Sequence, residues 1–574
     1  MKNKKIIGIY LLFISISLSS CGLFDFNAKT VNFIDKKIAL YHLNDKDNKR
    51  EKIKDVTLKF VPEKELIPYV TLADYASMFD YNGGYNYQTA HSVFSGDIWV
   101  VYNEANNQSV FALQLDYNNK TVSIAGNLSN ALNTGVAEEL NNSTITDNLY
   151  IETEIIKGDS ALNTYSFDNF NIDIYRNGSV YYLPISFLDL NVGNQSDTYF
   201  FFNNKDLYRY YDYYSLSNIN YQLDNKSYTV VSEYQESLSS EEMPQYLIDY
   251  NKECFMYVME NMYGLKDTRK LSSMKDYYVQ EELYDDLSSS DSNKRGLAYC
   301  NAINKLEDDH SGLLASDLSS VYGETLSRER GTTSIQRSNT RKELMQARKA
   351  VYLEKELDVS NGIIYSNDGK TASFVFDSFI YDSKENVKNG IYQNDSFAYF
   401  IHQFELLKEN NVENVVIDMS TNGGGALYVM FKLLALISKD NLFNCNIKNP
   451  NANIDILYYG GVDINNDNIY NHLDCYGDDF NIYLLTSECS FSCGNAFPII
   501  AKKMNNVKLI GKRTGGGECA VEKHILPNLQ YIQNSSNLHL GYENYVFEEG
   551  IEPDISLEYE EFYDIEIISN KINQ

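Results

Sequence analysis

Tyr483-Leu-Leu-Thr-Ser-Glu-Cys-Ser-Phe-Ser-Cys-Gly-Asn-Ala-Phe-Pro498 joins an apolar run to a helical pattern through a turn of small polar residues. Ile482 to Leu485 reads as a short buried strand. Gly494 to Met504 reads as a helix with Phe497, Ile500 and Ala501 on one side. Such a strand–turn–helix holds one side chain at the edge of a sheet, with backbone N–H groups aimed at the same point. Ser492 is the candidate nucleophile, and the N–H of Cys493 a candidate oxyanion donor. The pattern departs from the Gly-x-Ser-x-Gly elbow, because Ser490 stands where the first glycine would be. Turns and helix caps use the same residue types, so the assignment depends on what else the chain supplies.

From about residue 360 strands and helices alternate. Thr371 to Phe376 is a strand. Asn394 or Asp395 caps a helix carrying Phe397, Phe400, Ile401, Phe404 and Leu407 at helical spacing. Val415-Val-Ile-Asp418 is a buried strand, Met419-Ser-Thr-Asn-Gly-Gly-Gly-Ala426 a loop, and an apolar helix follows to Ser438. Val507 to Gly511 is another strand. This order predicts a layered α/β domain with a mostly parallel sheet, whose site lies at the carboxyl ends of its strands. The Gly423–Gly425 loop could cradle a phosphate at a helix N-terminus or offer backbone N–H groups to a substrate carbonyl. No Lys-Ser/Thr follows it and no G-x-G-x-x-G spacing exists, so nucleotide binding is not expected.

Residues 237–325 carry a helical pattern. Leu247, Cys254, Phe255, Val258 and Met262 keep a helical period, with Gly264 as a C-terminal stop. Tyr278–Leu287 and Leu297–Leu306 are predicted as further helices. Leu306-Glu-Asp-Asp-His310-Ser then places His310 on a loop, where it is either a catalytic base or one more polar surface residue. Ser327 to Arg341 is polar and reads as a flexible stretch.

Four segments together resemble the tail-specific, or C-terminal processing, serine peptidases and their tricorn-core-like relatives. They are Leu306-Glu-Asp-Asp-His310-Ser; Val416-Ile-Asp-Met-Ser-Thr-Asn-Gly-Gly-Gly425; Ser490-Phe-Ser-Cys-Gly-Asn495 with Ile510-Gly-Lys-Arg-Thr-Gly-Gly-Gly517; and Glu549-Gly-Ile-Glu-Pro-Asp554. They fall in the family's order across roughly residues 240–560. The resemblance implies a crotonase/Clp-protease-like spiral for the catalytic domain. It implies Ser492 as nucleophile, His310 as base, and Glu548 or Glu549 as the acid; the spacing leaves both glutamates open. The Ser–Lys branch would place a lysine at 517, which is Gly517; the tricorn-like Ser–His–Glu arrangement is the one implied. Cys493 N–H with Gly423 or Gly424 would bind the oxyanion. Too few residues separate His310 from Gly362 for the PDZ module that many members carry. The expected activity is peptide-bond hydrolysis on a peptide or protein substrate. The alternative is a catalytically inactive lipoprotein of the same fold that binds peptides or other ligands.

Residues 22–236 look β-rich. Phe111, Leu113 and Leu115 alternate, Asn118-Asn119 turns, and Val122 and Ile124 resume, which predicts a hairpin. Ile172 and Ile174, Asn177-Gly178, then Val180 and Tyr182 predict another. The phrases Ile67-Pro-Tyr-Val-Thr-Leu-Ala-Asp74 and Leu183-Pro-Ile-Ser-Phe-Leu-Asp189 suggest an internal repeat, loosely similar to copper-amine-oxidase N-terminal-like modules; no metal site follows from that likeness. The expected division is 1–21 signal, 22–236 β-rich region, 237–325 helical region with His310, and 326–574 catalytic domain.

Lys2, Lys4 and Lys5 precede an apolar run, Ile6 to Leu18, too short to span a membrane. Leu18-Ser-Ser-Cys21-Gly22 then resembles a bacterial lipoprotein signal. This predicts lipidation of Cys21 and a lipid-anchored protein on the extracytoplasmic face of the cell membrane. The net charge of −30 over 574 residues disfavours nucleic acid. Hydrophobic content of 43% describes a folded globular chain. Of eight cysteines, seven remain beyond Cys21; they read as mostly free, buried thiols. Cys489 and Cys493 lack the partners of a zinc pattern, and neither metal nor cofactor is expected.

Overall fold

A computed structural model describes residues 30–45, 47–79, 85–92, 96–103, 108–126, 143–158, 162–196, 198–238, 243–315 and 332–574. The signal segment and Cys21 lie outside the described residues. No helix among the described residues is long and apolar enough to cross a membrane.

The α/β part is built on a six-stranded sheet. Thr371–Val375, Asn414–Asp418, Asn481–Thr486, Lys508–Gly511 and Ile555–Ser556 run parallel in that order, and Ile364–Tyr365 pairs antiparallel at one edge. Asn414–Asp418 is buried at all five positions, as a strand covered on both faces must be. Helices Ser396–Glu409, Leu427–Leu436 and Cys493–Lys503 return the chain between strands. Of the two cap candidates, Asp395 closes the first helix: its carboxylate accepts the Ala398 N–H at 2.8 Å. Phe400, Phe404, Leu407, Phe431, Leu434, Phe497 and Ile500 are fully buried in one core against Val415 and Ile417. Burying a side chain of this size contributes roughly 1.5–3 kcal/mol, so this core holds the strand ends in fixed register.

A second sheet of six strands lies beside it. Tyr531–Gly541 pairs on one side with Phe443–Asn449, which leads on to Ile454–Val462. It also pairs with Cys519–Ile525 and with Gly312–Ala315, directly after His310. The outermost strand, Leu149–Lys157, comes from the N-terminal third of the chain.

That N-terminal third is β-rich. It holds a seven-stranded and a five-stranded sheet among the described residues, and both expected hairpins are present: Gln108–Asp116 with Thr121–Gly126, and Tyr175–Asn177 with Val180–Pro184. Each of the two similar phrases is a strand running into a helix, and the two strands are antiparallel neighbours, with Leu183 opposite Val70 and Pro184 opposite Tyr69.

Three local readings need correction. The helix expected at Tyr278–Leu287 is Met274–Gln280 followed by one 3₁₀ turn at Asp286–Ser288. Ser273 moves the start, because its hydroxyl accepts the Asp276 N–H and caps the earlier turn. Gly264 does not simply stop the preceding helix, which ends at Met262. A Cβ there would lie 1.8 Å from the Ser536 carbonyl oxygen, so glycine is required for the helix end to touch the second sheet. The stretch read as flexible, Ser327–Arg341, is from Thr332 onward part of a 23-residue helix, Thr332–Glu354. It buries only Leu344, Arg348 and Tyr352, so its apolar stripe is too thin to register as periodicity.

Candidate active site

Ser492 sits at the carboxyl end of the buried strand Asn481–Thr486, one residue before the helix Cys493–Lys503. Its backbone has φ 59° and ψ −127°, a conformation that side-chain-bearing residues rarely adopt. Backbone bonds to two neighbouring loops hold that turn: Ser492 N–H donates to the Gly516 carbonyl at 3.0 Å, and Phe491 N–H to the Asn422 carbonyl at 3.0 Å. Neighbouring hydroxyls are already used. Ser487 Oγ donates to the Ser420 carbonyl at 2.5 Å, and Ser490 Oγ to that of Met419 at 2.8 Å. They stitch the turn to the glycine loop, whereas Ser492 Oγ makes no bond of this kind among the described residues. Cys493 N–H stands at the first helical position with no backbone acceptor, one of the orphan donors of a helix start.

The Cys493 thiol is a different matter. It is buried, contacts the Gly425 carbonyl at 3.3 Å, and burial pushes it up to about 12. It is therefore a poor source of thiolate.

The glycine loop lies against the serine. A Cβ on Gly424 would meet the Ser492 Cβ at 2.7 Å and the Cys493 nitrogen at 3.1 Å, and Gly424 has φ +104°. Only glycine fits there. The expectation that Gly424 supplies a free N–H does not survive, because that N–H donates to Asn422 Oδ1 at 2.9 Å. Gly423 and Gly425 on either side are exposed and carry no such bond. Asn422 is the organiser the sequence did not single out. Its Nδ2 donates to the Phe376 carbonyl at 3.0 Å, and its own carbonyl takes the Phe491 N–H.

His310 follows the helix Ser292–Asn304 and is 7% exposed. Its ring packs on Phe491, with centroids 4.7 Å apart, which puts it beside the residue before Ser492. Its N–H and carbonyl are fixed by Asp308 Oδ1 at 3.1 Å and Gln533 Nε2 at 2.7 Å, while Nδ1 is buried without a hydrogen-bond partner among the described residues. Burial pulls the imidazole below its ordinary range, against the opposing pull of Asp308 and Asp309.

The two glutamates separate clearly. The Glu549 side chain is 79% exposed and lies 4.0 Å from Arg513. Glu548 turns inward: its Oε2 accepts the N–H groups of Gly517 at 3.1 Å and Glu518 at 3.0 Å. Burial raises its pKa, and the nearby Asp308 and Glu518 charges add to that. Asn495, on the helix after Ser492, ties the two loops, donating to the Phe547 carbonyl at 2.9 Å and accepting from Thr514 Oγ1 at 2.7 Å. Where the Ser–Lys branch would need a lysine, Gly517 has φ +85° and faces the Phe491 ring, which a Cβ would meet at 2.6 Å.

Helix Thr332–Glu354 closes one side. Arg337 lies 4.6 Å over the Phe491 ring, pairs with Asp309, and donates to the Gly515 carbonyl at 2.8 Å. Arg341 donates to the Thr421 carbonyl at 2.5 Å, beside Gly423. Sequence reasoning missed both arginines, since nothing in a polar Arg/Ser/Thr run distinguishes a cleft wall from a solvated surface.

Residues 388–557 match the model of peptidase family S41. The S41-like segment holds the glycine loop, Ser492 and both glutamates; His310 and the arginine helix precede it. No curated protein matches the chain. Among solved structures, a putative peptidase from Parabacteroides merdae is similar at 18% identity and TM-score 0.38, over 54% of this chain and 89% of that one. A lipoprotein from Streptococcus agalactiae is similar at 14% identity and TM-score 0.35, over 56% and 96%. The tricorn protease is similar at 11% identity and TM-score 0.34, over 88% and 46%. The S41 match covers the last three of the four sequence segments, agrees there with the resemblance at the level of family, and supports a peptidase.

Proposed function

We propose that this chain is a serine endopeptidase of the Ser–His–Glu type, anchored through lipidated Cys21 on the extracytoplasmic face of the cell membrane. One observation carries the reading: Ser492 combines a strained backbone and an uncommitted hydroxyl with the open N–H of Cys493, beside a loop that only glycine can form. Strain of this kind gathers at sites where geometry must be held.

In this mechanism Ser492 Oγ attacks the carbonyl carbon of the scissile peptide. The His310 imidazole takes the hydroxyl proton and passes it to the leaving amine as the C–N bond breaks. Water then attacks the acyl-serine ester, again giving its proton to His310, and the carboxylate product leaves as the Ser492 hydroxyl is restored. Cys493 N–H and an exposed N–H of Gly423 or Gly425 hold the oxyanion; Gly424 shapes the loop rather than donating. Glu548 is the acid that would orient the imidazolium. Asp308 is the second reading for that role, since its charge raises the His310 pKa against the effect of burial. Catalytic hydrogen bonds are often open before substrate binds, so an unpartnered His310 Nδ1 is compatible with either acid.

A serine-reactive fluorophosphonate probe tests this reading. Labelling of the native chain that disappears in Ser492→Ala is expected. If the folded native chain takes no label and cleaves no peptide, the peptidase reading fails and a peptide-binding lipoprotein is the better account. For the anchor, Cys21→Ala should leave the membrane fraction or accumulate as uncut precursor; a processed variant still held tightly by the membrane would remove the lipoprotein reading.

A further inference from the structure

Beyond Glu548, the second sheet brings together three side chains that the peptidase chemistry does not use. Cys519 and His539 are paired across neighbouring strands, and Glu518 precedes Cys519. His539 Nδ1 is 2.8 Å from Glu518 Oε1, and the two ring nitrogens are 3.8 and 3.9 Å from Cys519 Sγ. One donor atom from each residue lies within 4.8 Å of the other two. All three residues are nearly buried, but Glu518 and His539 also line a cleft of about 330 Å³ shared with Glu260, Lys448 and Tyr545. The cluster is thus enclosed by protein on one side and open on the other.

We propose that Glu518, Cys519 and His539 bind a borderline-soft divalent metal ion, Zn²⁺ above others, with a fourth coordination position facing the cleft. One thiolate, one imidazole and one carboxylate make a donor set suited to such an ion and foreign to Ca²⁺ or Mg²⁺, which take oxygen shells. The distances fit. A tetrahedral ion with ordinary Zn–N, Zn–O and Zn–S lengths needs about 3.4 Å between N and O and about 3.6 Å between N and S. The Glu518–His539 contact would open by about 0.6 Å and the Cys519–His539 contact would close by about 0.2 Å. Binding replaces the thiol proton of Cys519 with the metal and releases that proton to solvent. The ligands come from two antiparallel strands twenty residues apart, which is why no Cys-x-x-Cys or His-x-x-x-His spacing announces them.

The site sits next to the peptidase centre without being part of it. Glu518 Oε2 accepts the Glu548 N–H at 3.1 Å, and Glu548 Oε2 accepts the Glu518 N–H.

Titrating the full-length, phosphine-reduced chain with Co²⁺, followed by displacement with Zn²⁺, tests the proposal without reference to peptidase activity. One equivalent of Co²⁺ should produce a thiolate-to-metal charge-transfer band that Zn²⁺ abolishes. Cys475→Ser, which removes the half-exposed thiol elsewhere in the chain, should bind equally. Cys519→Ser and His539→Gln should each weaken binding by more than about tenfold, since losing even an outer-shell partner of a metal site costs that much. Zn²⁺ should also raise the melting temperature of the native chain. No band and no melting shift in the native chain would overturn the proposal even if the variants prove unstable. So would a band that survives Cys519→Ser or disappears with Cys475→Ser.

Discussion

The conformation of Ser492 sets up opposing effects of substitution on stability and on activity. Ser492→Ala and His310→Ala should each remove peptide hydrolysis, by on the order of 10⁶-fold in a well-built triad, and the double variant should be little worse than either. Ser492→Gly should be equally inactive yet more stable than Ser492→Ala by about 1 kcal/mol, because glycine adopts φ 59° without strain. Denaturant unfolding of the two inactive variants measures that difference; equal stability would mean the turn stores no strain. The same scale yields a pH dependence. His310 titrates below its ordinary 6.5 because it is buried, so its basic form persists at and above that pH. The kcat/KM profile should therefore lose activity only as pH falls below 6.5, and an acid limb centred above that value would exclude His310 as the base. Glu549→Gln should behave as a surface change, while Glu548→Gln should slow turnover strongly; if Asp308→Asn does so instead, the orienting acid has been misassigned. The strand–turn–helix that places Ser492 and the loop position of His310 after a helix were legible in the sequence because their neighbours form short fixed phrases. The choice between the glutamates, and the consumption of the Gly424 N–H by Asn422, depend on which way a side chain turns, and no spacing encodes that.

Among the elements, the arginine helix was the least legible and carries a sharp stability prediction. Arg348 is 2% exposed and joins Asp377 at 2.5 Å to Asp418 at 3.2 Å, at the carboxyl end of a central strand. Arg348→Met should cost about 3–5 kcal/mol, because it leaves the buried Asp418 carboxylate without its counter-charge. A loss below about 1 kcal/mol in thermal or denaturant unfolding would show that Asp418 is held by Ser420 alone. Four of the five parallel strands, by contrast, were readable, since buried apolar strands carry a dense signal; the two-residue edge strand Ile555–Ser556 is too short to show one. The helix Thr332–Glu354 has almost none, as its contacts to the site are made by arginines reaching from a polar face.

For the whole molecule, the S41-like segment is not separable from what precedes it. Leu149–Lys157 forms the outer strand of the second sheet, and Leu526 and Ile532 are buried in the same core as Trp99, Phe187 and Phe255. A chain beginning near residue 237 should therefore be insoluble or molten when expressed alone, whereas one beginning near 22 should fold; a cooperative unfolding transition in the shorter chain would refute this. That shared core was hidden from a reading that moves along the chain, because its residues are hundreds of positions apart. Glu307 accepts the N–H groups of Thr332 at 2.8 Å and Thr333 at 3.0 Å, so the start of the arginine helix is fastened three residues before His310. Ala315, on the other side, is fastened to Tyr531. Ala315 and Thr332 are thus two clamped ends beside the candidate site, which makes the interval between them a natural graft point. Each doubling of the length between them costs only about 0.6 kcal/mol in closure entropy, so a whole recognition module could be spliced in at the mouth of the site while the machinery beneath it stays in register.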